Sequence, residues 1–272
     1  MEVIGTIDMH DEPTTMAVRR HLRSGGIDKL QCEIQHESLL TVNVNDIPTM
    51  QMGCSPSHLV ELVCGRLYTE GLISSVDEID AISICENSLQ ADVYLLNREA
   101  DLSRSATRMV PTCCTNNIAL NDYFGQDKPL APLSPIAWDA EWVFRIADEF
   151  ALDRTMHSRT SSTHSVYLAN RTNTLYVRED IGRHNAFDKA VGSALIDGVD
   201  LTQCLLFTSG RVPTDMAAKA VRAKIPLLVS KSVATDKTIE MARAFNLTLI
   251  CIAHPDSFVV VSDPRNHLNS GL

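Results

Sequence analysis

The sequence has 272 residues, a formal net charge of −10 at pH 7 and 44% hydrophobic residues. The length allows one large or two smaller globular domains with a sizeable core. An acidic chain is a poor general binder of nucleic acids or acidic membranes, so the composition predicts neither as a partner, and an anionic ligand must be held by a local cluster of cations.

The sequence also indicates a compartment. Residues 1–30 have no cationic start followed by an apolar core, and no apolar run is long enough to span a bilayer, so we expect a cytoplasmic protein. The 8 cysteines are scattered, which favours free thiols in a reducing compartment over a disulfide framework. They are Cys32, Cys54, Cys64, Cys85, Cys113, Cys114, Cys204 and Cys251.

The first half of the chain predicts a mixed α/β lobe. Residues 1–30 are a polar N-terminal segment, expected to be an edge element or partly disordered, and residues 31–128 form the lobe with a cysteine loop. A helix should begin after Ser57, its predicted N-cap, and end at Gly71. Apolar patterning predicts strands over residues 32–34, 39–44, 47–52, 79–84 and 91–96, with a tight turn at residues 45–46.

A proline-rich stretch separates this lobe from the second one. Pro129, Pro132 and Pro135 predict a stiff linker, and we place the second lobe over residues 136–272. This lobe should contain a helix over residues 137–152 and then a loop over residues 154–165. Strands are predicted over residues 166–168, 175–177, 204–208, 227–229, 247–252 and 258–261, with helices after the turn at residues 182–184, after Thr214 or Asp215 as N-cap, and near Thr235.

Three of the predicted strands are followed by polar loops that lead into helices. In an open α/β sheet, ligands bind outside the carboxyl ends of the strands, where loops meet helix N-termini. The loops carry hydroxyls, a glycine and single cations, which are the groups that contact phosphate oxygens. The pattern predicts a site for a phosphate-bearing cofactor, whereas the alternative for the first loop is a solvated turn with Asp180 as helix cap. The loop residues are Arg183 and His184; Ser209, Gly210 and Arg211; and Ser230 and Lys231.

These residues also carry a family resemblance. The run VREDIGRHNA at residues 177–186, with Thr163-His164 upstream and Ser209-Gly210-Arg211 downstream, resembles the signature of the formate dehydrogenase accessory protein family, FdhD/NarQ. The similarity extends over about residues 37–261. It implies an α/β fold with a cytidine-deaminase-like three-layer α/β/α domain, a smaller N-terminal mixed α/β lobe and a homodimeric state.

The resemblance implies a function as well. Proteins of this family are understood as sulfur carriers that accept sulfane sulfur from a cysteine desulfurase as a persulfide. They pass the sulfur to the molybdenum cofactor in its bis-molybdopterin guanine dinucleotide form, before that cofactor is inserted into formate dehydrogenase. The expected partners are therefore a cysteine desulfurase, formate dehydrogenase and a guanine-nucleotide-bearing cofactor that is bound as a client.

The cysteine loop departs from the family pattern. Family members carry Cys-x-x-Cys here, but Cys113 is followed at that spacing by Asn116, and Cys114 by Asn117. One cysteine is enough to accept and donate sulfane sulfur, because the attacking species is a single thiolate. The resemblance makes Cys113 the candidate carrier and Cys114 the second choice, whereas the residues alone are equally compatible with an ordinary loop.

The resemblance adds further contacts to the cofactor. His164 matches a histidine of the family motif, although on its own it would be interpreted as a structural histidine. His254 stands where an arginine is common in relatives, which weakens any fixed positive charge there. The implied cofactor-binding residues are His164, Arg183, His184, Ser209, Gly210, Arg211, Ser230, Lys231, Ile252, Ala253, His254, Pro255, Asp256 and Ser257.

Other function classes lack their signatures. A zinc deaminase needs His-x-Glu and Pro-Cys-x-x-Cys, and neither occurs around His184, so we expect no catalytic metal. A dinucleotide dehydrogenase needs Gly-x-Gly-x-x-Gly after a strand, which is missing too. The remaining alternative is a binding module or chaperone that holds the molybdenum cofactor, or another guanine nucleotide, without transferring sulfur, because the cysteine pair is incomplete.

Overall fold

A computed structural model describes residues 1–4, 12–85, 89–98, 108–110, 130–153 and 155–265, with the backbone alone for 108–110. In these residues the chain forms two six-stranded sheets and a separate two-stranded hairpin. No helix in this part of the chain is both long and apolar enough to cross a lipid bilayer.

The described N-terminal residues contribute strands, which agrees with the prediction of an edge element. Strand β1 (Glu2–Ile4) lies at the edge of the first sheet, and β2 (Thr14–His21) pairs antiparallel with β3 (Ile27–Ile34). Strand β3 continues across the boundary predicted at residue 30 between the N-terminal segment and the first lobe. The strand predicted over residues 32–34 is only the end of β3. Patterning missed the hairpin because its side chains are mostly exposed on both faces, so no continuous apolar run marks it.

The first sheet packs one face against a helix. Helix α1 (Leu59–Thr69) buries Leu62, Val63 and Leu67 against the sheet. The sheet has the order β1-β6-β7-β4-β5-β8. Its remaining strands are β4 (Ser38–Val44), β5 (Ile47–Cys54), β6 (Ile79–Cys85), β7 (Gln90–Leu95) and β8 (Arg108–Val110), with a short 3₁₀ turn at Val76–Glu78 before β6.

The turns of this lobe confirm most of the local predictions. Asn45 and Asp46 both have positive φ, 50° and 64°, as a tight hairpin turn requires. Gly71, with φ 73°, ends α1 as predicted. The predicted N-cap Ser57 is wrong: the cap is His58, which has a left-handed backbone and no side-chain capping bond. Local capping preference did not decide this start, because a hydrogen bond from a serine is only one way to begin a helix.

The second sheet has the order β10-β9-β11-β12-β13-β14. Strands β11, β12 and β13 are parallel, and β9 runs antiparallel to both β10 and β11. The strands are β9 (His164–Ala169), β10 (Thr174–Asp180), β11 (Leu205–Thr208), β12 (Leu227–Ser230), β13 (Thr248–His254) and β14 (Ser257–Ser262). The helices are α2 (Ala140–Leu152), α3 (Met156–Thr160), α4 (Arg183–Ile196), α5 (Thr214–Arg222) and α6 (Asp236–Ala244), and a 3₁₀ turn spans Leu201–Gln203.

Helices cover both faces of the second sheet. Helices α4, α5 and α6 contribute Phe187, Met216 and Met241 to the core on one face, and α2 contributes Trp142 and Ile146 to the core on the other. This arrangement confirms the three-layer α/β/α architecture expected from the sequence.

Several element boundaries differ from the predictions. Helix α2 starts at Ala140 with Asp139 as N-cap, and the predicted loop over residues 154–165 contains α3 and the start of β9. Helix α6 starts at Asp236 with Thr235 as its N-cap, which confirms the prediction of a helix near Thr235. The predicted caps Thr214 and Asp215 are wrong, because the extended backbone of Pro213 (φ −78°, ψ 173°) places Thr214 in the first helical position.

Helix α1 of the first lobe crosses α4 of the second at very close range. A Cβ on Gly65 would lie 1.9 Å from the carbonyl oxygen of Asp188, and a Cβ on Gly192 would lie 1.9 Å from that of Glu61. Only glycine allows the two backbones to approach this closely. Residues 130–139 contain neither helix nor strand, as predicted for the linker, whereas Pro129 lies outside the described residues.

Candidate anion-binding site

One edge of the second sheet gathers most of the predicted site residues. Strands β10, β11, β12 and β13 end at this edge, and the antiparallel β9 begins there, with His164 paired to Asp180. Gly182 is the N-cap of α4, so Arg183 is the first residue of that helix. The free backbone N–H groups of a helix start and the cation beside them favour an anion at this position.

Gly210 brings the second loop against the first. A Cβ built on Gly210 would lie 3.2 Å from the Cβ of Arg183 and 3.3 Å from the Nδ1 of His164, so a side chain would crowd both. The Ser209 N–H donates to the Ser165 carbonyl at 3.0 Å, and Ser209 Oγ accepts from the Ser165 N–H at 3.0 Å. These two bonds fix the loop over residues 209–211 against the start of β9.

Two polar atoms at this junction have no partner in the described part of the chain. Both His164 Nδ1 and Arg183 Nε are buried and make no hydrogen bond there. Burial, and then the nearby charge of Arg183, lower the pKa of His164 to about 4, so its ring is neutral near pH 7. Buried polar groups are normally hydrogen-bonded, so an unpaired guanidinium N–H beside a helix start fits a phosphate-bearing ligand.

The outer part of the site carries two exposed cations. Arg211 and Lys231 are both exposed. The Lys231 N–H donates to the Thr208 carbonyl at 3.0 Å, and its ammonium lies 5.2 Å from the centre of the Phe150 ring. Exposed cations around a neutral histidine supply the long-range attraction that an anionic ligand needs on a chain of negative net charge.

Two residues that were predicted to contact the cofactor instead form hydrogen bonds from their side chains to other protein groups. Ser230 Oγ donates to the Gly210 carbonyl at 2.8 Å and accepts from the Ser232 N–H at 2.9 Å. His184 Nε2 lies 2.9 Å from the Asp215 carboxylate, and His184 is only 8% exposed. The structure therefore places these two side chains behind the loops, where they shape the site.

The last predicted segment forms a tight turn rather than a loop. Strand β13 continues to His254 and β14 begins at Ser257, which pairs with it. Ile252 is exposed with φ 51°, and Asp256 is exposed at the turn. A cavity of about 410 Å³ lies beside this turn, on the face of the sheet that α2 covers. Its lining includes Phe150, Asp153, Lys231, Ala253, His254 and Pro255.

Glu179 is a site residue that the sequence analysis missed. Its carboxylate accepts the N–H groups of Met156 at 2.6 Å and His157 at 2.8 Å, and the hydroxyls of Ser165 at 2.7 Å and Thr163 at 3.3 Å. These bonds hold the segment that leads to His164. The residue lay inside the recognised motif, but nothing in the local pattern indicates partners more than 10 residues away.

The interpretation of Asp180 as a helix cap in a solvated turn is wrong. The N-cap of α4 is Gly182, and Asp180 is fully buried. Its carboxylate forms an ion pair with Lys189 at 2.7 Å. A buried carboxylate needs such a partner, and the helix sequence alone does not show that Lys189 turns back toward the helix start.

The hypothesis that Cys113 or Cys114 carries the sulfur stays a prediction. Cys113 and Cys114 lie outside the described residues. Burial raises the pKa of Cys64 to about 12 and the pKa values of Cys204 and Cys251 to about 11, so these three thiols stay protonated near pH 7. In the described ranges, no group of three or more His, Cys, Asp or Glu side chains is arranged to hold a metal ion.

Comparisons with known proteins agree with the resemblance. The model of the FdhD/NarQ family matches residues 35–268. The sulfur carrier protein FdhD of Bacillus subtilis strain 168 is 30% identical over 260 residues, which cover 94% of this chain and 98% of that protein. The protein of the same name from Listeria innocua is 28% identical over 247 residues, covering 89% of this chain and 94% of the relative.

A solved structure shows the same fold. The crystal structure of a protein from Desulfotalea psychrophila, assigned as a formate dehydrogenase accessory protein, superposes with a TM-score of 0.75 at 22% identity. The superposition covers 93% of this chain and 98% of the other. The chain therefore belongs to the FdhD/NarQ family.

Proposed function

We propose that this protein is a sulfur carrier. In this proposal it takes sulfane sulfur from a cysteine desulfurase and passes it to the guanine dinucleotide form of the molybdenum cofactor, before that cofactor enters formate dehydrogenase. Family membership supports the proposal, because the matched relatives in Bacillus and Listeria are named sulfur carrier proteins. The carrier would work in the cytoplasm as a homodimer.

One observation carries the proposal. Strand β8 is parallel to β5, with Val110 paired to Met52, so both strands end on the same side of the first sheet. Just beyond Met52, the Gly53 carbonyl accepts from Asn185 in the first turn of α4 at 2.8 Å. Cys113 follows Val110 by 3 residues, a reach of at most about 11 Å. The support is that β8, which precedes this cysteine in the sequence, ends on the side of the first sheet that contacts the start of α4.

The loading step is a thiol–disulfide exchange. The Cys113 thiolate attacks the outer sulfur of the desulfurase persulfide, a new S–S bond forms at Cys113, and the donor cysteine leaves as a thiolate. Two electrons move with the bond that breaks, so no external oxidant or reductant is needed. Cys64, Cys204 and Cys251 are poor candidates, because raised pKa values leave little thiolate at neutral pH. Cys114 remains the second choice.

The client is bound at the sheet edge in this proposal. Arg183, Arg211 and Lys231 contact its phosphates, and the cavity beside residues 252–257 receives part of the nucleotide. The support is chemical: an unpaired buried guanidinium N–H, two exposed cations and a helix start converge there. His184 and Ser230 hold the loops in place from behind.

Intact-mass analysis tests the carrier role. The wild type, Cys113→Ala, Cys114→Ala and the control Cys251→Ala are each incubated with a cysteine desulfurase and cysteine. We expect a sulfur adduct on the wild type, Cys114→Ala and Cys251→Ala, and none on Cys113→Ala. If no variant gains sulfur while guanosine diphosphate still binds, the protein is the non-transferring binding module or chaperone.

A further inference from the structure

A cavity of about 490 Å³ lies between the two lobes, and we call it the interlobe cavity. Helix α5 begins at Thr214, after the loop of the anion-binding site, and ends at Arg222, which lines the cavity. The 9 residues of this helix therefore separate the two places by about 13 Å. The volume suits a small organic molecule. The lining includes Tyr68, Gly71, Leu130, Leu133, Arg222 and Lys224.

The lining of the interlobe cavity is positively charged, although the chain as a whole is acidic. The described residues that line it include two cations, Arg222 and Lys224, and neither aspartate nor glutamate. The whole chain has 34 acidic and 24 basic residues, so this lining differs in sign from the rest of the protein. Positive charge without a carboxylate favours an anionic ligand.

The Arg222 guanidinium lies against the end of α1. A Cβ on Gly71 would lie 3.4 Å from both Cζ and Nη1 of Arg222, which is van der Waals distance. Burial raises the pKa of the nearby Tyr68 phenol, although the charge of Arg222 opposes this effect, so the hydroxyl is neutral near pH 7. A guanidinium and a neutral phenol are both hydrogen-bond donors that a carboxylate can use.

The two cations are not required to satisfy the carbonyls at the helix ends. At the end of α1, the Tyr68 carbonyl accepts from the Gly71 N–H at 2.9 Å. At the end of α5, the Val221 carbonyl accepts from the Lys224 N–H at 3.0 Å, and the Ala220 carbonyl accepts from the next N–H at 3.0 Å. Lys224 has φ 58°, a left-handed backbone at which glycine is usual after a helix, so this turn bears a strained cation at the cavity.

The same helix ends indicate which anion fits. Helices α1 and α5 both reach the cavity with their C-terminal ends, where backbone carbonyls carry partial negative charge. Phosphate sites commonly use the free N–H groups of a helix start, which neither of these two helices offers there. Leu130 and Leu133 are buried and give the cavity an apolar wall. A singly charged carboxylate with an apolar body therefore fits better than a phosphate with two charges.

We infer that the interlobe cavity is a binding site for a small organic carboxylate, whose charge pairs with Arg222 and whose apolar part packs against Leu130 and Leu133. Lys224 adds a second positive charge at the rim. This site is separate from the anion-binding site at the sheet edge, and it does not depend on the proposed sulfur-carrier function.

The test follows the NMR signal of Tyr68 in protein labelled with ¹³C-tyrosine, where the signal is assigned by its loss in Tyr68→Phe. Benzoate is the probe, benzamide is its neutral counterpart of similar shape, and phenyl phosphate carries the alternative anion. The variant is Arg222→Gln. The matched control is Arg243→Gln, which removes an exposed arginine from the last turn of α6, outside the cavity.

We expect benzoate to shift the Tyr68 signal to saturation with a Kd of about 1 mM or below, and benzamide to bind at least about tenfold more weakly because it has no charge. Arg222→Gln should weaken benzoate by about tenfold and leave benzamide within about twofold, which shows that the cavity is intact. Arg243→Gln should change neither. If Arg222→Gln does not fold, Arg222→Lys keeps the charge without the planar fork and should weaken benzoate by about threefold or more.

The inference is overturned if benzoate gives no saturable shift of Tyr68, if benzamide binds as tightly as benzoate, or if Arg222→Gln loses no more affinity than the control. Tighter binding of phenyl phosphate than of benzoate would overturn the assignment to a carboxylate. Failure of guanosine diphosphate to bind, or of sulfur to load, is a different result, because the readout is at Tyr68 and needs neither.

Discussion

His184 Nε2 lies 2.9 Å from the Asp215 carboxylate, and this bond joins the first turns of α4 and α5. Burial lowers the pKa of His184 despite the opposing charge of Asp215. Burial alone would raise the pKa of Asp215, but the hydrogen bond from His184 and the charges of His184 and Arg183 hold it below its usual value. The hydrogen bond between the His184 imidazole and the Asp215 carboxylate therefore sets the spacing of two loops of the anion-binding site.

Removing this carboxylate should weaken the fold. We expect Asp215→Ala to lower the free energy of unfolding by about 1.5–3 kcal/mol, the range for a hydrogen bond to a charged group, as measured by urea titration. The control is Asp236→Ala, an exposed acid in the first turn of α6, which should cost under about 1 kcal/mol through the helix dipole. Equal losses in the two variants would contradict a specific role for the pair.

The stability of the protein should depend on pH through His164. Burial, and then Arg183, lower its pKa to about 4, whereas an unfolded histidine titrates near about 6.5. Below about pH 6.5 the unfolded chain gains a proton on His164 that the folded chain does not. The contribution of His164 to the free energy of unfolding is therefore fully present above pH ~6.5 and is lost as the pH falls toward ~4. We expect His164→Asn to lose less stability than the wild type over this window.

Urea titrations across the same window measure the difference. His184, whose pKa is also lowered, contributes acid sensitivity of the same sign, so the variant should keep part of the slope. Curves for the wild type and His164→Asn that run parallel from about pH 6.5 to about pH 4 would show that His164 is not the titrating group.

The sequence predicted the elements that local rules govern. The apolar run of β11 was recognised because buried parallel strands are continuously apolar, and Gly71 was recognised by the chemistry of helix ends. The topology rule for open α/β sheets correctly placed Arg183 and the loop over residues 209–211 at one edge, whereas His164 was implied by the family resemblance.

What the sequence could not predict depends on distant partners. Asp180 looks like a helix cap locally, yet Ser55, 125 residues earlier, supplies one of its donors. Glu179 accepts from the backbone of Met156, 23 residues before it. His184 and Ser230 have the polar character of ligand contacts, but their bonds to protein atoms appear only when the loops are assembled.

The crossing of α1 and α4 should not tolerate a side chain on Gly192. A Cβ there would lie 1.9 Å from the Glu61 carbonyl oxygen, which belongs to helix backbone and cannot rotate away. We expect Gly192→Ala to lower the free energy of unfolding by about 3 kcal/mol or more, because the two helices must separate. The measurement is urea titration monitored by tryptophan fluorescence.

The matched control is Gly198→Ala, where nothing lies within 4 Å but φ is 68°. This change should cost about 1–2 kcal/mol from the left-handed backbone alone. A loss for Gly192→Ala no larger than that of the control would show that the helices can move apart easily.

Arg211 should contribute to binding of an anionic ligand. We expect Arg211→Ala to weaken the affinity for guanosine diphosphate by about 10-fold to 150-fold, which corresponds to about 1.5–3 kcal/mol for a charge-assisted bond, as measured by isothermal titration calorimetry. The control Lys224→Ala removes an exposed cation that lies after α5, away from the sheet edge of the site, and should leave affinity within about twofold. Because Arg211 is exposed, its contribution should shrink as salt is raised. Unchanged affinity in Arg211→Ala at low salt would remove this residue from the site.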